Sequence, residues 1–152
     1  MKKIGFFPGS FKPFHRGHYA SIMNMCKNMD ELNVLMSVKD RGTLKGDNCK
    51  KYVEKYIAPT MPKVKFHYVD GSPVGEMYLL VQALDQANKN VDVYLFAGSE
   101  DIDGRYRHEA LKKNFPYLVN NNNIHIEKLE PVMPEKGSNR ISGTNKIGRA
   151  HV

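Results

Sequence analysis

Apolar positions along the chain alternate between short strand-like runs and longer stretches of helical period. Ile4–Phe7 is an apolar run that stops at Pro8-Gly9 and reads as a buried strand. Over Gly17–Lys27, Tyr19, Ile22, Met23 and Cys26 recur on one face at helical spacing. Val34–Val38 is a second strand. After a polar turn at Asp40–Gly46, the residues Tyr52, Val53, Tyr56 and Ile57 repeat with helical period, and Pro59 and Pro62 end that helix. Val64, Phe66 and Tyr68 alternate as a strand. Pro73–Ala87 is the clearest helix, with Pro73 near its start and Met77, Leu80, Val81 and Leu84 along one face. Val91–Ala97 and Ile124–Leu129 complete the strands, the latter preceded by a surface turn at Asn120–Asn123.

Strands and helices therefore succeed one another in β-α-β order. This predicts an α/β class, a Rossmann-like five-stranded parallel sheet with helices on both faces. With no repeat, linker or low-complexity stretch, residues 1–152 read as one domain. In such sheets ligands bind outside the carboxyl ends of the strands, where the strand order reverses. The loops after the first, second and fourth strands are thus the places to look for chemistry.

Composition narrows the function classes without choosing one. Lys and Arg number 23 against 16 Asp and Glu, a net charge of +7. That excess suits phosphorylated small molecules as well as nucleic acid, and the lysines are scattered rather than massed. No apolar run reaches membrane-spanning length and no leader segment stands at the N-terminus, so a cytoplasmic protein with no membrane partner is expected. Cys26 and Cys49 form no metal-ligand spacing and read as reduced thiols. No metal-ligand cluster is expected.

The first loop carries the chemistry: Gly9-Ser10-Phe11-Lys12-Pro13-Phe14-His15-Arg16-Gly17-His18. Gly9 allows a tight turn that exposes backbone N–H groups, Pro13 stiffens the approach, and Gly17 admits a ligand to the first turn of the helix. His15 and His18 lie three apart, so at the entry of a helix their imidazoles converge on one anion held at its positive end. Every fixed position of a GSFxPxHxGH loop is present, and the segment resembles the cytidylyltransferase-like nucleotidyltransferases, most of all their small single-domain bacterial and phage members. The resemblance continues along the chain. Gly98-Ser99-Glu100-Asp101 with Arg105 looks like the family's nucleotide-base and ribose loop, and Ile141-Ser142-Gly143-Thr144 is similar to its ISSTxxR element, which holds the outer phosphates. Lys39, at the end of the second strand, falls where relatives carry a basic residue near the transferring phosphate.

The resemblance implies transfer of a nucleoside monophosphate from CTP or ATP to a small phosphorylated acceptor, with Mg2+ bridging the triphosphate and pyrophosphate released. His15, His18 and Lys39 would be catalytic. Gly9, Ser10, Phe11, Gly17, Gly98, Glu100, Asp101, Arg105 and Ile141, Ser142, Gly143, Thr144 would bind nucleotide. The acceptor is left open between nicotinamide mononucleotide, phosphopantetheine, and choline-type, polyol or sugar phosphates; homo-oligomers are frequent among such relatives. Readings of another class are a nucleotide-binding protein that has lost catalysis and a basic nucleic-acid-binding module. One departure stands out: the family pattern calls for arginine at the position of Ile147. Ile147–Val152 reads as a non-native tail, because a common sequencing-library adapter in one frame, ATC GGA AGA GCA CAC GTC, encodes it residue for residue before a stop. On that reading the family's last helix and its arginine are missing from the chain.

Overall fold

The computed structural model describes residues 1–129 apart from 10, 12, 13, 41, 42, 44, 99–101 and 103. Five strands form one parallel sheet: β1 (Lys2–Gly9), β2 (Glu31–Ser37), β3 (Val64–Val69), β4 (Val91–Ala97) and β5 (Ile124–Lys128), in the spatial order β3-β2-β1-β4-β5. The helices are α1 (Arg16–Cys26), α2 (Gly46–Tyr52), α3 (Pro73–Gln86), α4 (His108–Asn114) and α5 (Pro116–Asn120).

Alternation along the strands divides the core in two. Phe7, Leu32, Val34, Met36 and Val64 pack with Ile22 and Met25 of α1 and with Val53 and Ile57. Ile4, Phe6, Leu35, Val93 and Leu95 pack on the other face with Met77 and Val81 of α3, with Leu111 of α4 and Leu118 of α5, and with Phe115 between those two helices. Neighbouring strand residues point to opposite faces, so a sheet sandwiched by helices needs apolar residues at consecutive positions, as in Phe6-Phe7.

Several boundaries differ from those read off the sequence. β2 begins at Glu31 rather than Val34 because a polar residue is satisfied inside it: buried Asn33 donates to Gly5 O and to Glu31, and its Oδ1 lies 2.8 Å from His67 Nε2. On α1, Met23 is 40% exposed, and Met25 takes the core position beside Ile22. The helix expected to stop at Pro59 changes character first. After α2 it widens into a π turn over Val53–Ile57, with Ala58 N–H donating to Val53 O, and then tightens into a 3-10 turn at Ala58–Thr60. Pro59 has no N–H to continue the α register. Tyr52 and Tyr56 stay exposed on this segment while Val53 and Ile57 are buried. The Asn120–Asn123 turn is only partly on the surface: Asn120 closes α5, and Asn123 is buried with its carbonyl accepting from Val93 N–H at 2.8 Å. Helices α4 and α5 had not been expected, although Leu111, Phe115 and Leu118 repeat at helical spacing.

Candidate active site

The strand order reverses between β1 and β4, since β2 and β3 lie to one side of β1 and β4 and β5 to the other. Their ladder ends at Phe6↔Leu95, yet β1 runs on to Gly9 and β4 to Ala97. Past that last pair each strand leans on its outer neighbour, through Gly9↔Met36 on one side and Ala97↔Lys128 on the other. A crevice opens at the carboxyl edge of the sheet, the position where this topology accepts ligands. The loop that leads into α1 stands on one wall and Gly98 on the other. An ideal Cβ at Gly98 would meet nothing within 4 Å, so that wall faces open space.

The turn out of β1 is not made where glycine suggests. Gly9 keeps an ordinary backbone, and the left-handed conformation falls on Phe11, with φ of 56°. The Phe11 side chain is 4% exposed and turned inward. Gly9 is small for a different reason: a Cβ there would lie 2.9 Å from Phe11 Cζ. Its glycine thus makes room for an aromatic ring.

His15 and His18 sit in the first turn of α1 and cap it reciprocally. Gly17 N–H donates to His15 Nδ1 at 3.1 Å, and His15 N–H donates to His18 Nδ1 at 3.2 Å. This is the geometry of a capping box, with imidazoles in place of the usual hydroxyl and carboxylate. A backbone N–H can only donate, so both Nδ1 atoms offer lone pairs and both rings carry their proton on Nε2. The rings stack at 3.8 Å between centroids and 20° between planes. Burial pushes the His18 imidazole down to about 3, with repulsion from His15 adding to the effect, and burial also lowers His15. The His18 ring is neutral across the physiological range, and burial favours the neutral form of His15 as well.

One atom in this arrangement is unsatisfied. His15 is 6% exposed, and its Nε2 has no hydrogen-bond partner among the described residues. An orphaned buried donor costs about 1–3 kcal/mol. It stands at the N-terminus of an eleven-residue helix whose first turn holds no acidic side chain, so the positive end of the helix is not neutralised from within. A donor in that place can pair with an acceptor-only, negatively charged group such as a phosphate oxygen. The cluster is not built for a metal, because each ring nitrogen is either bonded to backbone or protonated. Among the described residues no three His, Cys, Asp or Glu side chains group as metal ligands.

The other expected site residues are distributed unevenly. Gly17 is buried in the first turn beside the histidines. Lys39 stands exposed just past β2, one strand from Gly9, with its N–H donating to Ser37 Oγ at 3.1 Å. Arg105 lies ahead of α4, its carbonyl accepting from the Tyr78 hydroxyl of α3. Ser10, Glu100, Asp101, Ile141, Ser142, Gly143 and Thr144, and the 147–152 tail, lie outside the described residues. Two contributors had been passed over. Phe14 is buried against Phe11 and His18, and its place between Pro13 and His15 was the available signal. Gly46 fits against the backbone of Val38, where a Cβ would fall 1.6 Å from the carbonyl oxygen, and its N–H donates to Asp40 Oδ1 at 3.0 Å. It shapes the Lys39 loop, and nothing in the local sequence announces that contact.

No protein-family profile matches the chain, and no curated protein matches it. Solved structures do. A bifunctional NMN adenylyltransferase/ADP ribose pyrophosphatase from Francisella tularensis superposes with a TM-score of 0.56 at 14% identity, covering 90% of this chain and 40% of its own. The same enzyme complexed with AMP and a manganese ion gives a TM-score of 0.55 at 14% identity, over 90% and 39%. Nicotinic acid mononucleotide adenylyltransferase from Plasmodium falciparum, complexed with APC, gives 0.50 at 15% identity, over 88% and 77%. At these identities the likeness establishes the fold, which this chain shares with mononucleotide adenylyltransferases.

Proposed function

We propose that the chain is a nucleotidyltransferase that moves the nucleoside monophosphate of a triphosphate onto a phosphate oxygen of a small acceptor and releases pyrophosphate. The observation that carries this reading is the buried, unpartnered Nε2–H of His15 at the head of α1. ATP is the donor of first choice and a mononucleotide the acceptor of first choice, because the Francisella and Plasmodium enzymes that share this fold are mononucleotide adenylyltransferases. CTP and non-nucleotide phosphates are the second arm of the test.

The chemistry asks little of the protein beyond positioning and charge stabilisation. An acceptor phosphate oxygen attacks the α-phosphorus, the bond from that phosphorus to the bridging oxygen breaks, and the electron pair leaves with pyrophosphate. The acceptor is already anionic, so neither a general base nor a covalent intermediate is needed. His15 and His18 donate from Nε2 to phosphate oxygens as charge shifts toward the leaving group. Such a preorganised donor is worth roughly 3 kcal/mol, or about a hundredfold in rate. Their neutrality means that they supply direction and hydrogen bonds but no net charge. Positive charge comes from the end of α1, from Lys39, and from a divalent cation such as Mg2+ that arrives on the triphosphate as part of the substrate. The nucleotide base and ribose would lie along the Gly98 side of the crevice, toward Arg105, with Glu100 and Asp101 as further candidates. Gly9, Ser10, Phe11 and Gly17 would contribute backbone or hydroxyl contacts, and the 141–144 segment would hold the outer phosphates.

The test is to incubate the folded protein with ATP or CTP, Mg2+ and a panel of acceptors, following pyrophosphate. The panel comprises nicotinamide and nicotinate mononucleotides, phosphopantetheine, phosphocholine and a polyol phosphate. Acceptor-dependent release with one pair is expected. Release no faster than the acceptor-free background for every pair would end the proposal.

A further inference from the structure

Phe11 was expected to touch nucleotide, and its buried side chain faces the histidines instead. Its ring stands perpendicular to His18 at 4.9 Å between centroids and 89°, and perpendicular to Phe7 at 5.0 Å and 77°. Phe14 approaches both Phe11 and His18, at 6.0 and 5.4 Å. His18 is half-buried and hemmed in: His15 stacks on it, two phenyl rings crowd it, and one backbone N–H holds its Nδ1. An aromatic residue rarely adopts a left-handed backbone, and such conformations persist where the surroundings impose them. Here the conformation turns the chain so that the ring drops beneath the histidines, into the space that Gly9 leaves by lacking a Cβ.

We propose that Phe11 is a positioning residue, whose ring sets the plane of His18 and keeps water from it so that the two imidazoles present Nε2–H groups side by side. A single backbone hydrogen bond to Nδ1 leaves an imidazole free to rock about that contact, and edge-to-face packing is directional enough to stop it. Dryness matters as much as orientation. A His18 open to water would take up a proton on Nδ1, lose the bond from His15 N–H and undo half of the reciprocal cap. The left-handed Phe11 therefore protects the tautomer of His18 without its own side chain touching substrate.

This inference rests on the nucleotidyl-transfer reading for its kinetic arm only. The experiment compares wild-type protein with Phe11→Ala and Phe11→Leu, using nitrogen NMR of the histidine rings together with the pH dependence of kcat and KM for pyrophosphate release. In the wild type His18 remains the neutral Nε2–H tautomer from pH 5 to pH 8. In Phe11→Ala, His18 titrates inside that range, and kcat at pH 5.5 falls about tenfold below its value at pH 7.5, as a ring titrating near the ordinary imidazole value requires. Phe11→Leu, which refills most of the space, restores both behaviours. If Phe11→Ala does not fold, Gly9→Ala displaces the same ring through the 2.9 Å approach to Cζ and gives the same two readouts. A folded variant of either kind in which His18 stays neutral and the pH profile is unchanged overturns the proposal. Absence of turnover in the wild type would instead sink the nucleotidyl-transfer reading, while the NMR titration would still decide the role of Phe11.

Discussion

His15 has two separable duties, and replacing it by Asn or by Ala pulls them apart. Its Nδ1 caps α1 by accepting from Gly17 N–H at 3.1 Å, and its Nε2–H is held buried for a phosphate oxygen. Asparagine is among the best N-caps and can keep the first duty with its side-chain oxygen; alanine keeps neither. Loss of an N-cap costs about 1 kcal/mol, so His15→Asn should be more stable than His15→Ala by about that amount. Alanine also removes the orphaned donor, which costs the resting protein about 1–3 kcal/mol, whereas asparagine brings a buried NH2 group of its own. In activity the two variants should look alike, each losing roughly a hundredfold in kcat, because neither the alanine methyl nor the shorter asparagine amide puts a donor where the imidazole Nε2–H stands. Urea unfolding followed by circular dichroism gives the stabilities, and pyrophosphate release under saturating triphosphate gives the rates. If His15→Asn is as unstable as His15→Ala, the capping argument is wrong. If His15→Asn turns over at the wild-type rate, the donor argument is wrong.

Three further outcomes test other parts of the structure. Because His18 is held at about 3 in the folded state against an ordinary value of 6.5, the unfolded chain takes up a proton that the folded chain refuses. Stability should thus be intact above pH 6.5 and fall below it, by up to about 1.4 kcal/mol per pH unit for this ring, until about pH 3; a flat stability between pH 6.5 and pH 5 would contradict the burial of both imidazoles. Asp85 is buried on α3 and its Oδ1 accepts from Leu118 N–H of α5 at 2.8 Å. Asp85→Ala should cost about 2 kcal/mol, lowering the melting temperature by roughly 4–8 °C, while leaving turnover of the folded fraction near wild type. Gly46→Ala places a Cβ 1.6 Å from Val38 O, backbone that cannot turn aside. It should destabilise by about 3 kcal/mol or more, and an unfolding midpoint equal to that of the wild type would show that the loop after β2 is not packed as described.

Much of this was legible before any coordinates, and the reasons differ by level. Five parallel strands followed from apolar runs too short for helices, separated by stretches of helical period, because a strand buried on both faces must be apolar at consecutive positions. The histidine loop was legible because its residue types have few other uses in that order after a strand. Where the reading slipped, a residue was behaving against its type: Asn33 is polar yet lies inside β2, paired with His67, and Met23 is apolar yet faces water. Pro116 interrupted the Leu111, Phe115, Leu118 pattern, so two short helices passed as a loop.

The one-dimensional order of residues determined the five strands, the helices α1 and α3, and the place of the histidine loop after β1. It was silent on which nitrogen of each imidazole carries the proton, on the orphaned Nε2 of His15, and on the left-handed turn falling at Phe11 instead of Gly9. Those properties arise from distances between groups whose types alone permit many arrangements. A histidine accepts, donates or carries charge depending on what lies within about 3 Å of each nitrogen and on how much water reaches it. Only folding brings the Gly17 and His15 amides to the Nδ1 atoms and packs Phe11 against His18, and with that packing an ambiguous pair of histidines becomes a pair of neutral donors.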